Sequence, residues 1–165
     1  MSQSIDSTAT KTKTGFFSGI GCWASLAVIG ASLFLFLIAC VTPAMVFDKE
    51  TWFGYGVLFG GWMGVFLGQF AWFANLFLVL SLLLAFFRRW ILTTIVGGLA
   101  LLISLDAFSF VGTKVPLDEA FVNVMYFQNY HVGFYFWQAS LLAIPAGAVI
   151  AWVVTMLASK RVVVR

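Results

Sequence analysis

Charge is what this sequence has least of. Only 9% of its 165 residues are Asp, Glu, Lys or Arg, while 62% are hydrophobic. A soluble domain carries about 25% charged residues. So few charges cannot cover the exterior of a soluble fold of this size, so lipid must replace water over most of it. Histidine is nearly absent as well, with His131 alone. Haem in membrane bundles is commonly held by paired histidines, and zinc or di-iron sites need several convergent His, Cys or carboxylate ligands. No metal or cofactor is therefore expected, and His131 reads as an interfacial aromatic. The cysteines are only two, Cys22 and Cys40. On one helix they lie ~27 Å apart, against the ~7 Å that a disulfide allows between Cα atoms. There is no Cys-x-x-Cys, and both thiols read as apolar packing residues. Phosphate-cradling, nucleophile-elbow, zinc-protease and kinase motifs are missing too, which lowers the expectation of an enzyme.

What remains is apolar sequence in four long segments, at about 16–47, 56–87, 90–111 and 133–158. Each exceeds the ~20 apolar residues needed to cross a bilayer. The expected fold is all-α: an integral membrane bundle of four transmembrane helices, spanning 15–159. A polar tail, 1–14, precedes it and a basic tail, 160–165, follows. The first apolar stretch is far longer than the ~7–15 residues of a signal-peptide core, so it is expected to stay as a helix. The first two segments are over-long, since 32 residues of helix would reach ~48 Å across a core of ~30 Å. Pro43 and the 52–56 stretch are the expected ends of regular helix. A second segment folded as two spans would need a turn inside the membrane, acceptable only if buried in protein.

The sparse charges set the orientation. Lys11, Lys13, Arg88, Arg89, Lys160, Arg161 and Arg165 fall on one side of a four-span chain, seven of nine basic residues. By the positive-inside rule that side is cytoplasmic, with both termini on it. An odd number of spans would put the last cluster outside. The small net charge of +3 thus reads as topology control and not as nucleic-acid binding. Between segments three and four, Pro116-Leu-Asp-Glu looks like a helix start. Leu117, Phe121, Val124, Met125 and Gln128 follow at near-helical spacing, predicting a short interfacial helix; the alternative is an irregular loop with anchoring aromatics.

The sharpest pattern is Gly56, Gly60, Gly64 and Gly68, four apart on one expected helix face, a glycine zipper. Ala139, Ala143, Gly147 and Ala151 form a matching strip in segment four, and the expected contact is between segments two and four, within one chain or between two. The intramembrane polar residues are Gln69, Asn75, Asp106 and Gln138. They read either as interhelical hydrogen-bonding groups or as a shared polar pocket.

The runs Gly60-Gly61-Trp62, Gln69-Phe70-Ala71-Trp72-Phe73-Ala74-Asn75 and Gly133-Phe134-Tyr135-Phe136-Trp137-Gln138-Ala139-Ser140 resemble small four-span bacterial inner-membrane proteins, over segments two to four. In similar sequences a proline often follows the Asn; here Leu76 stands there, which removes a kink. The resemblance implies a bacterial inner membrane and no reaction. The function that fits is a non-enzymatic membrane protein acting through helix–helix contacts, as an accessory subunit or an immunity- or defence-type protein. Its partners are then the lipid bilayer and other membrane subunits or further copies of itself. An oligomeric channel or small-solute transporter is the alternative, and a lipid- or quinone-linked enzyme the more distant one.

Overall fold

The computed structural model describes residues 8–112, 114–116 and 124–163. The described chain is mostly helical: α1 (Thr8–Val41), α2 (Gly54–Gly60), α3 (Ala74–Phe86), α4 (Trp90–Ser104) and α5 (Val132–Val163). Short 3-10 stretches cover Gly61–Leu67, Ala71–Phe73 and Leu105–Phe110. Three of the helical stretches, Cys22–Val41, Trp90–Phe110 and Val132–Leu157, are long and apolar enough to cross a membrane. Gly54–Leu67 and Ala71–Phe86 are shorter apolar helical stretches.

The long helices alternate in direction around α5. Ser32 Oγ of α1 donates to the Ser140 carbonyl of α5 at 2.9 Å. Nearer the start of α1, Val28 sits against Gly147, where an added Cβ would come within 2.7 Å of it. On the other flank α4 runs against α5, with Ser104 Oγ donating to Gln138 Oε1 at 2.9 Å and Gly97 facing Ile144 and Pro145. α3 packs on α4 as a hairpin turned at Arg88, which holds φ 57°. Ala74, Leu78, Ala100, Leu141 and Ile144 form the apolar centre of this bundle.

The interior is small and partly polar. Ser25, Ser32, Ser81, Thr93, Ser104 and Ser140 are buried, beside Ala39, Ala74, Ala85, Ala100, Ala148 and Ala151. Small side chains let helix backbones approach, and the hydroxyls bond locally: Ser81 Oγ to the Leu78 carbonyl and Thr93 Oγ1 to the Arg89 carbonyl. Leu78, Phe134, Leu141 and Ile144 are buried among them, but many large apolar side chains point outward, with Phe34 64% exposed, Phe87 66%, Leu102 64% and Ile150 64%.

At the end of the bundle where α1 stops and α5 begins lies a four-stranded antiparallel sheet, β1 (Pro43–Phe47), β2 (Thr51–Phe53), β3 (Lys114–Pro116) and β4 (Val124–Tyr130), in the order β2-β1-β4-β3. Pro43 cannot continue α1, because its ring occupies the space of the helical carbonyl and it has no N–H. The Asp48–Glu50 turn is tied to β4: Asp48 Oδ1 accepts from the Tyr126 N–H at 2.9 Å, and Lys49 Nζ donates to the Val124 carbonyl at 2.8 Å. Phe47, Val115, Met125 and Phe127 close a second apolar core under the sheet.

Two expectations need correction here. The interfacial helix is not found where its second half was expected, since Val124, Met125 and Gln128 lie in β4. Met125 and Phe127 face inward and Tyr126 and Gln128 outward, the period of two of a strand. Pairing with β1 on one side and β3 on the other satisfies the backbone that a surface helix would have satisfied internally. Leu117 and Phe121 lie outside the described residues. The second apolar segment is also not one helix. It is α helix only to Gly60, tightens to 3-10 through Leu67, turns at Gly68 (φ 74°) and resumes at Ala71. Positive φ is cheap only for glycine, so Gly68 is where the chain reverses.

Candidate functional site

The broken second segment walls a cavity. α2 leaves β2 beside the end of α1, at Gly54, where an added Cβ would collide with the Ala39 carbonyl. The 3-10 stretch then carries the chain across to the far end of α4. There Gln69 Nε2 donates to Ser109 Oγ at 3.0 Å, and the Phe70 N–H donates to Asp106 Oδ2 at 2.5 Å. Trp72 turns back beneath this arch, its Nε1–H donating to the Leu58 carbonyl at 2.7 Å. Between arch, sheet and bundle is a cavity of about 370 Å³ that is not sealed from outside. Its walls are apolar and aromatic, with Phe36, Trp52, Trp72, Phe134 and Trp137 among them, and Gln69 and Asn75 bring polar groups to it.

The four polar residues singled out in the sequence enter three separate pairings. Gln69 and Asp106 meet at the arch through Ser109, whose Oγ also donates to the Asp106 carbonyl at 2.7 Å. Asp106 thus sits at the start of the helical stretch leading into α3. A carboxylate there satisfies a free backbone N–H and complements the helix dipole. Asn75 Oδ1 accepts from Trp137 Nε1 at 2.9 Å. Gln138 bonds Ser104 through both its oxygen and its nitrogen, at 2.9 and 3.3 Å. Gln69 and Asn75 line the cavity; Asp106 and Gln138 do not. Within one chain they do not share a single polar pocket.

The glycine register is likewise divided. Gly56 and Gly60 are in α2, Gly64 is in the 3-10 stretch and Gly68 is its left-handed cap. Gly64 would meet the Gln69 side chain at 3.2 Å, whereas nothing lies within 4 Å of a Cβ at Gly56, Gly60 or Gly68. A four-residue repeat lies on one face only while the helix keeps its α period, and here that period ends at Gly60. On α5, Gly147 packs on α1 and Ala151 is buried with Trp90, while Ala139 and Ala143 are half-buried. The closest backbone approaches belong instead to Gly54, against Ala39, and Gly133, where a Cβ would lie 2.7 Å from the Pro43 carbonyl oxygen. Both glycines adjoin aromatic runs at element starts, the one signal in the sequence that marks them.

Tyr130 links sheet to bundle. Its hydroxyl donates to the Ala107 carbonyl and its ring stacks on Phe134 at 3.9 Å between centroids. Burial, then the Asp106 carboxylate and Tyr135, push its pKa up to about 12. His131 is exposed; its backbone N–H donates to the Ala44 carbonyl at 2.9 Å and its carbonyl accepts from the Phe134 N–H at 3.0 Å. Cys40 lines the cavity, whereas Cys22 is exposed on α1 and does not serve the packing expected of it.

Compared with family models, with curated proteins and with solved structures, the chain matches none, so its role is argued from its own geometry.

Proposed function

We propose that this chain is a four-crossing integral membrane protein of a bacterial inner membrane, with both termini cytoplasmic, that works without catalysis through contacts made inside the bilayer. The observation that carries the reading is the reversed distribution of side chains. Serine, threonine and alanine make up much of the interior, beside a few larger residues such as Leu141 and Ile144, while Phe34, Leu37, Phe87, Leu102 and Ile150 face outward at more than 60% exposure each. In water such an exterior would aggregate; against acyl chains it is at equilibrium.

The crossings in this reading are α1, the stretch Ala71–Phe86, α4 and α5. The antiparallel pairings of Ser32 with Ser140 and Ser104 with Gln138 support it, as does the position of Arg88 and Arg89 at the end remote from the sheet. The arch from Gly54 to Gln69 then lies at the outer interface, where Tyr55, Phe59, Trp62 and Phe66 suit an aromatic belt. Its open Gly56 leaves room for another chain, consistent with an accessory subunit or an immunity-type protein. Gentle solubilisation followed by affinity capture should bring down a defined membrane partner or a discrete oligomer. A monodisperse single copy, captured repeatedly without company from its native membrane, would refute the contact role.

A further inference from the structure

We infer that the cavity beneath the arch is a binding site for a fatty acyl chain, whose carbonyl oxygen accepts a hydrogen bond from the Asn75 amide. The inference rests on the membrane reading above and adds a ligand to it.

The walls of the space exclude most occupants. About 370 Å³ lies within the range of pockets that hold small molecules. A water molecule needs two to four polar partners, and the walls offer mainly Phe36, Trp52, Val57, Leu67, Phe134 and Trp137. Leaving the space empty would deprive those side chains of dispersion contacts on one face. An apolar guest is what remains, and the exterior of this protein is matched to acyl chains. The guest needs one acceptor oxygen. Trp137 Nε1 is a donor only, so it fixes Oδ1 of Asn75 toward itself. The Asn75 NH2 group is thereby presented away from Trp137; it has no acceptor among the described residues, and it is not sealed off as a buried orphan. A carbonyl oxygen of an acyl group supplies that acceptor. The walls also show where the space is kept open. Gly60 lines the cavity, its φ is −99°, and no atom lies within 4 Å of a Cβ added there.

The test uses the full chain in detergent and parinaric acid, a fluorescent fatty acid that accepts energy from tryptophan. Titration should give saturable transfer at one probe per chain, displaced by oleate. Gly60→Phe, which fills the space, should abolish the saturable component. Asn75→Leu should weaken it about three- to tenfold, the loss of one hydrogen bond. Gly98→Phe on α4, where a Cβ also meets nothing within 4 Å, should leave it unchanged. Native mass spectrometry of the unmodified protein, retaining one acyl-bearing molecule per chain, is the check that needs no variant. Saturable transfer from parinaroyl phosphatidylcholine as well as the free acid would assign the source to phospholipid, and from the free acid alone to fatty acid. Transfer that never saturates, that is equal in Gly60→Phe, or that yields to a quinone and not to oleate overturns the proposal. Failure of the membrane reading would look different: the protein would stay dispersed after detergent removal.

Discussion

Single glycines separate two kinds of design in this chain. Gly54 and Gly133 are places where backbone meets backbone, and a methyl group has nowhere to go. Gly54→Ala should cost about 3 kcal/mol or more, and Gly133→Ala about 1–3 kcal/mol, as overpacking does. Gly56→Ala, in the open interior of α2, should instead gain about 0.5–1 kcal/mol through lower chain entropy. Thermal unfolding in one detergent ranks the three, and equal losses at Gly56 and Gly54 would mean that α2 is packed after all. Tyr130 gives a second residue-level prediction. Its folded pKa of about 12 lies above the ordinary 10.0, so the folded state holds the phenolic proton more tightly. That stabilisation is fully present below pH 10 and is lost as pH rises through about 12. Unfolding midpoints should therefore fall across that window, and the fall should be smaller in Tyr130→Phe. These residue-level facts were poorly legible in the sequence. The glycine repeat advertised a contact face, but spacing alone does not reveal where an α-helix changes its period.

Among the elements, the stretch Gly61–Phe73 is the weakest. Its 3-10 hydrogen bonds have poorer geometry than α-helical ones, and none of its residues is buried. Amide hydrogen exchange should be fastest there and slowest in α4 and α5, whose contacts surround the core; protection of Gly61–Phe73 equal to that of α4 would contradict this. The α elements themselves were largely readable from apolar run length. Trp90 opens α4 and Val132 opens α5 within a residue of expectation. The sheet was not readable. Pro43–Phe47 closed the first apolar segment with only the end of regular helix marked at Pro43, and Val124–Tyr130 read as a surface helix or an irregular loop, because each strand alone is short and its pairing partner is some 80 residues away in sequence. Strand signal of that kind is carried by the partner and not by the segment. Likewise Asp106 looked like an isolated acid in an apolar span, although its partner is the Phe70 N–H, and a backbone group leaves no mark in composition.

For the whole molecule, composition carried what the fold shows: little charge, and three helical stretches long and apolar enough to cross a membrane. The sidedness it implies is directly testable. Single cysteines introduced at Lys49 and Arg89, in a background with Cys22 and Cys40 replaced, should label from opposite faces of sealed vesicles. Labelling of both from one face would require a different number of crossings. The candidate site was half legible. Gln69 and Asn75 stood out as polar groups, but the cavity they border is walled by a second apolar segment that bends at Gly68, and the chain after that bend is tied to the distant carboxylate of Asp106.

On the four-crossing reading, the same bend leaves unequal lengths side by side. From Ala71 to Phe86 the chain has 16 helical residues, about 24 Å against a hydrocarbon core of about 30 Å. α1 and α5 can tilt to match the core, but this stretch cannot lengthen. The bilayer must therefore pinch inward along one flank of the protein, at a fraction of a kcal/mol for each ångström of deficit. A molecule that dents its surroundings on one side favours thin, fluid lipid there and draws together with neighbours that share the same shortfall.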